Sequence, residues 1–244
     1  MMQSGSDMYA GYFGKYPGYR DFVQHGMDSS LVEQFRSWLS AVMDVGQERY
    51  EELWRDIYFQ GPVWRFLLRD SSLGAATWAG AIMPSMDARE RYFPLIAVRR
   101  IDQPVSASLF NQMAAFLDQL ETVMLATLQT PYADVADVRC HFDEFFSQDF
   151  EVEPVGKVPV VSNQSWLNSE IDQFIATQKF DMGIWQAVNV ANDKPCLRVV
   201  GGFPGESEFV DMWFETVALD EQQDDDFCVS ERGSENEAAE ASKS

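Results

Sequence analysis

The sequence is poor in the residues on which most catalytic and metal sites depend. It has only two histidines, His25 and His141, and its three cysteines lie far apart without a Cys-x-x-Cys pair. A thiolate zinc site or a disulfide framework is therefore not indicated. Cys140, His141 and Glu144 could share a helix face, but no second histidine or cysteine stands at ligand spacing from them. We predict no metal site.

Positive charge is also scarce. The chain has 18 Lys and Arg against 39 Asp and Glu, which gives a formal net charge of −21. Such a field repels phosphate backbones, so we predict no nucleic-acid partner. No apolar run approaches the ~20 residues that cross a bilayer, and the N-terminal segment lacks the apolar stretch of a signal peptide. We expect a soluble, cytoplasmic protein without direct membrane insertion. Its charge either serves solubility alone or steers a basic partner surface toward the chain.

Motifs for nucleotide binding and for nucleophilic catalysis are missing as well. The sequence has no Gly-x-Gly-x-x-Gly, no Gly-Lys-Ser/Thr and no Gly-x-Ser-x-Gly. Ser85 follows a predicted strand, where a nucleophile could sit, but a hydroxyl without a neighbouring base is inert. A turn-forming role competes with that reading. We predict no cofactor and no enzymatic activity, and we keep as an alternative a hydrolase that pairs Ser85 with His25 or His141.

Apolar and aromatic residues, in contrast, are plentiful, at 46 % and 14 % of the chain, and can fill a core. Strand and helix patterns follow one another without regular βαβ alternation, and short loops separate two strand pairs, which favours antiparallel neighbours. We predict one α/β domain over residues 1–219: a mixed, largely antiparallel sheet with helices on both faces, in three layers. The predicted strands lie near residues 9–13, 64–68, 78–83, 93–98, 184–189 and 196–200.

Apolar residues at helical spacing predict the helices. The first begins at Ser30, whose spacing from Glu33 suits a capping box. Others are predicted near residues 47–58, 108–129, 134–146 and 169–178, followed by a last one through Trp213. The helix over 108–129 presents a long stripe predicted to face the core: Leu109, Met113, Phe116, Leu117, Leu120, Met124 and Leu128.

The composition changes at residue 220. Residues 220–244 contain nine acidic and two basic side chains and a single aromatic residue, Phe227. Such a segment cannot bury enough apolar surface to offset the conformational entropy lost on folding. We predict a disordered acidic tail.

Some charged residues stand in aromatic surroundings. Arg65 lies between Trp64 and Phe66, and in a strand it would face away from both rings. Asp87 and Arg91 flank a loop between two predicted strands. Either these charges pair and fix the loop geometry, or the loops beside them form an exposed recognition surface.

Several short phrases occur in a fixed order along the chain. The first is GYFGKYP at 11–17 with DFV at 21–23, and the second is PVWRF at 62–66. The third, and most specific, runs from Gly74 through WAG at 78–80 and MPSMD at 83–87 to RYFPL at 91–95. Two further phrases, at 184–185 and 202–204, lie near the C-terminus. Together they resemble the TagF (ImpM) family, accessory proteins of bacterial type VI secretion. Glu90 stands where that family usually has glycine.

The resemblance implies a function. Members of the family are cytoplasmic accessory proteins that repress the assembly or firing of the type VI secretion apparatus after translation. Their repression is associated with a forkhead-associated (Fha) scaffold protein. We therefore expect a post-translational regulator that binds the Fha scaffold, with a structural subunit of the apparatus as a further alternative.

The resemblance also directs attention to particular residues. We predict that loops form the contact surface for the partner, through Lys15, Tyr16, Asp21, Ser85, Asp87 and Arg91. Other motif residues are predicted to have structural roles: Gly14, Pro17, Phe22, Trp64, Arg65, Trp78, Gly80, Pro84, Phe93 and Pro94.

Overall fold

One sheet forms the centre of the computed structural model, which describes residues 10–129, 135–148, 173, 181–188, 195–218 and 228–229. The strand order is β2-β1-β5-β4-β3-β6-β7-β8, and every neighbouring pair is antiparallel except β7 and β8. The strands are β1 (Ala10–Lys15), β2 (Phe22–His25), β3 (Trp64–Arg69), β4 (Thr77–Met83), β5 (Leu95–Ile101), β6 (Met182–Val188), β7 (Pro195–Val200) and β8 (Cys228–Val229).

Helices cover both faces of this sheet, which confirms the predicted three-layer fold. Side chains alternate along a strand, so Trp64 and Phe66 of β3 enter one hydrophobic cluster while Leu67 enters the other. The first cluster lies under α1, α2 and α6, and the second under α3, α4 and α5. The helices are α1 (Ser29–Tyr50), α2 (Trp54–Gln60), α3 (Ala107–Gln112), α4 (Ala114–Gln129), α5 (Val135–Phe146) and α6 (Glu206–Ala218).

The helix boundaries differ from the predictions at two places. Helix α1 begins one residue before Ser30, because the carboxylate of Asp28 accepts a hydrogen bond from the Leu31 N–H and acts as the N-cap. The helix predicted over 108–129 is two helices, since the chain turns at Met113. Strand β2 was not predicted; it is four residues long and pairs only with β1.

The predicted core stripe of the long helix holds for six of its seven residues. Those six are buried, but Leu128 is 43 % exposed, and Leu125 beside it is 38 % exposed. The apolar face of α4 therefore extends past the core near its C-terminal end. Apart from residue 173, the predicted helix at 169–178 lies outside the described residues, as does nearly all of the predicted tail, and the proposed boundary at 219 stays a prediction. Among the described helices, none has the length and apolar character that crossing a bilayer requires.

Candidate functional site

Two loops meet at one end of the sheet: the turn after β1 and the long loop between β4 and β5. We call these segments, residues 15–19 and 84–93, the loop junction. Their sequences supply the first and third of the phrases described above, so residues that are about 70 positions apart are brought together there.

Ser85 is fixed at the centre of the loop junction by backbone and side-chain bonds. The Tyr58 hydroxyl donates to the Ser85 carbonyl and accepts from the Ser85 N–H, both at 2.8 Å. The same carbonyl accepts from the Phe93 N–H at 3.1 Å, and the Ser85 hydroxyl donates to the Lys15 carbonyl at 2.9 Å. Burial raises the pKa of Tyr58 well above its ordinary value, so this hydroxyl keeps its proton.

A buried ion pair joins the two loops. The Lys15 ammonium lies 2.7 Å from Asp87 Oδ2, and the side chains of Lys15 and Asp87 are 5 % and 0 % exposed. Arg91 Nε donates to the same oxygen at 2.8 Å, while Oδ1 accepts from the N–H groups of Arg89 and Arg91. Burial disfavours the charged carboxylate, but the hydrogen bonds from Lys15 and from these N–H groups outweigh it and hold the pKa of Asp87 below its ordinary value. The charges of Asp87 and Arg91 therefore pair, as the first of the two readings expected, and the recognition surface beside them stays a prediction.

The outer part of the loop is closed by further bonds to the first turn. Arg91 Nη2 donates to the Arg20 carbonyl at 2.7 Å, and the Ala88 N–H donates to the Tyr19 carbonyl at 2.8 Å. Glu90 adopts a positive φ of 60°, a left-handed conformation that glycine takes with the least strain.

The six residues predicted to contact a partner are divided between the interior and the surface. The four buried ones can influence a partner only through the shape of the loops, because they offer almost no surface. Asp21 and Arg91 are exposed and can make direct contacts. The buried residues are Lys15 at 4 %, Tyr16 at 0 %, Ser85 at 1 % and Asp87 at 1 % exposure.

An apolar groove lies directly beside the loop junction, with a volume of about 650 Å³. Three separate loops contribute a proline to it: Pro17 after β1, Pro62 before β3 and Pro84 after β4. Helix α4 forms one wall through Glu121, Leu125 and Leu128, and Phe59 at the end of α2 faces it. Sequence analysis did not predict this groove. The signal that could have revealed it is the apolar stripe of α4, which continues to Leu128, beyond the residues that the core covers.

The apolar groove contains most of the large exposed apolar side chains of the described residues. Phe59, Leu125 and Leu128 are 39 %, 38 % and 43 % exposed and all line it, whereas Tyr19 and Leu53 do not. Clusters of exposed apolar side chains of this kind mark interaction sites more often than isolated ones do.

An ion-pair set sits at the acidic end of the groove. Arg65 projects from β3 toward α4, opposite to Trp64 as predicted, and pairs with both Asp118 and Glu121. Two carboxylates face one guanidinium, so this rim keeps an excess of negative charge.

Ser85, His25 and His141 each contact groups other than one another. The buried Ser85 hydroxyl is bonded to a backbone carbonyl, and its described hydrogen-bond partners include no imidazole. His25 Nε2 lies 3.1 Å from an Asp143 carboxylate oxygen, and His141 Nδ1 lies 3.0 Å from the Asp137 carbonyl. Within the described ranges, His, Cys, Asp and Glu form no cluster of three or more that could hold a metal.

Comparison with known proteins found similarity both in structure and in sequence. The crystal structure of PA0076 from Pseudomonas aeruginosa PAO1 shares the fold, with a TM-score of 0.63 and 22 % identity over 91 % of this chain and 100 % of that chain. No curated protein matches this sequence. Residues 11–140, more than half of the chain, match the family described as "TagF N-terminal domain, Type VI secretion system-associated". The matched range includes every residue of the loop junction and of the apolar groove. The chain therefore belongs to the TagF N-terminal domain family of type VI secretion system-associated proteins.

Proposed function

We propose that this protein is a non-enzymatic, cytoplasmic repressor of type VI secretion that acts after translation by binding the Fha scaffold protein. Family membership supports the association with type VI secretion. The observation that carries the binding role is that motif residues from three distant loops meet beside one accessible apolar groove. That arrangement suits the recognition of another protein, since exposed apolar clusters rimmed by polar groups are typical of such surfaces.

The loop junction has two tasks in this proposal. Its buried members, above all the pair of Lys15 and Asp87, fix the loops so that the groove beside them has one shape. Exposed Arg91, together with Asp21 next to the junction, supplies polar contacts on the loops beside the groove. A recognition surface that is rigid before binding loses less conformational entropy when the partner arrives.

Two measurements test the proposal. Calorimetry with the purified full chain and the purified Fha scaffold is expected to give a complex with a micromolar or lower Kd, and no complex at tens of micromolar would contradict the binding partner. Overproduction of the chain in a secreting strain is expected to reduce type VI secretion into the medium. Unchanged secretion would contradict the repressor role.

A charge reversal tests the contact through Arg91. Arg91→Glu is expected to weaken both scaffold binding and repression, whereas Arg139→Glu serves as the control. The two arginine side chains are 53 % and 58 % exposed and each pairs with an aspartate four positions away, but Arg139 lies on α5. Thermal unfolding of both variants shows whether the fold is intact, because the carboxylate introduced by Arg91→Glu would also face buried Asp87. Equal effects of the two reversals in folded protein would reject Arg91 as a contact.

A further inference from the structure

The apolar groove has a specific chemistry that restricts what can fill it. Its volume of about 650 Å³ is several times the ~150 Å³ that holds a benzene molecule, so several large side chains fit. The lining residues include one carboxylate, Glu121, and no basic side chain. Asp118 lies one turn before Glu121, and Asp56 is exposed on the α2 side.

The groove offers little to the backbone of a bound peptide. The strands beneath it, β3 and β4, are each paired on both sides, so neither presents a free edge for strand addition. Three of the lining residues, Pro17, Pro62 and Pro84, have no N–H to donate. An extended peptide would lose backbone hydrogen bonds to water there without replacing them. A helix satisfies its own backbone groups and needs only side-chain contacts.

The wall formed by α4 sets the length of the occupant. Glu121, Leu125 and Leu128 face the groove at positions i, i+4 and i+7, which is two helical turns or about 10 Å. A helix lying alongside would match this wall with apolar residues at the same spacing.

The charge of the rim sets the second requirement. Arg65 is shared between Asp118 and Glu121, which leaves net negative charge at that end, and on the α2 side the charges of exposed Arg55 and Asp56 offset each other. The chain as a whole carries −21. Basic side chains flanking an apolar helix face would therefore be attracted to this rim.

We propose that the apolar groove binds an amphipathic helix of a partner protein, with large apolar residues at i, i+3 or i+4, and i+7, and with basic residues on its flanks. This inference rests on the proposed function only in that the chain acts by binding a protein, and it does not depend on which protein that is. Aromatic Phe59 and aliphatic Leu125 contact the apolar face of the helix, and Asp118 and Glu121 attract its basic flank.

Site-specific crosslinking tests the proposal in the full chain. A photoreactive p-benzoylphenylalanine replaces Leu125 in one variant and Leu53 in another, and the cells that carry out type VI secretion are irradiated. Leu53 is the control because it is 65 % exposed and apolar but does not line the groove. We expect at least tenfold more product at Leu125, attached to a partner segment with the stated apolar spacing and a net positive charge. Equal yields, no product at Leu125, attachment to a second copy of this chain, or an acidic partner segment would each overturn the proposal.

A synthetic copy of the mapped segment completes the test with purified protein. Leu125→Glu is expected to weaken its binding at least tenfold, Leu53→Glu to leave it within twofold, and high salt to weaken it severalfold. Equal affinities for the two variants would overturn the groove as the site. If Leu125→Glu weakens binding of neither the mapped segment nor the Fha scaffold, the groove proposal fails while the proposed function stands. If the unaltered chain does not bind the scaffold but the mapped segment has the stated spacing and charge, the proposed function fails while the groove proposal stands.

Discussion

Removing the Tyr58 hydroxyl should loosen the loop junction without disturbing the core around it. In Tyr58→Phe the ring stays stacked on Trp213, 5.6 Å away between centroids, so apolar packing changes little. Two hydrogen bonds to Ser85 disappear. The Ser85 carbonyl keeps the bond from Phe93, but the Ser85 N–H is left in the interior without an acceptor.

The cost can be estimated from these bonds. A typical hydrogen bond contributes about 1 kcal/mol, and a buried group left unsatisfied costs about 1–3 kcal/mol. We expect Tyr58→Phe to lower the free energy of unfolding by about 2–4 kcal/mol. Tyr92→Phe is the matched control: its ring lies 6.0 Å from that of Tyr58, it is partly exposed, and its hydroxyl makes no described hydrogen bond, so a loss under ~0.5 kcal/mol is expected.

Urea denaturation measures both variants. The midpoint should shift for Tyr58→Phe with an unchanged slope, since the slope reports the surface exposed on unfolding. If both variants lose the same small amount, Tyr58 does not anchor Ser85 and the account of the loop junction is wrong.

Three further outcomes follow from the same contacts. The folded-state pKa of Asp87 lies below its ordinary value, so the contribution of its carboxylate to stability is complete above pH ~4 and is lost in more acid solution. The difference in unfolding free energy between the unaltered chain and Asp87→Asn should therefore shrink from pH 5 to pH 3. A constant difference would contradict the ion pair. Glu90→Gly should raise stability by about 0.5–1 kcal/mol in urea unfolding, because it relieves a positive φ at the cost of a more flexible unfolded chain, and a loss would contradict the backbone conformation. Gly61→Ala should cost about 1–3 kcal/mol in the same assay, since its Cβ would lie 1.7 Å from Trp213 Nε1, whereas Gly201→Ala meets nothing within 4 Å and should cost much less.

Local sequence patterns predicted most strands and the three layers, because the spacing of apolar residues along the chain determines which side chains a strand or helix buries. Strands β3 and β4 were predicted from short apolar runs that are bounded by turn residues. Strand β2 was missed because its four residues carry too short a pattern, and only pairing with β1 makes them a strand. Asp28 was missed as a cap because Ser30 and Glu33 offered a competing signal of the same kind.

The candidate site was harder to predict because its properties arise from distant residues. Nothing near Ser85 in sequence shows that Tyr58 and Lys15 will enclose it. Its motif therefore resembled an exposed loop, while the structure buries it. Leu128 shows the opposite case: its helical spacing predicts the core, but no described element packs over that end of α4 closely enough to cover it.

The loop junction depends on residues far beyond the family-matched segment. Trp213 of α6 donates a hydrogen bond to the Tyr58 carbonyl at 3.2 Å, and β6 supplies the outer partner of β3. A fragment that stopped at residue 140 would leave β3 as a bare edge and Tyr58 without its indole neighbour. The recognizable part of the sequence thus has packing partners outside its own range, and the geometry of its loops is supported from the other end of the polypeptide.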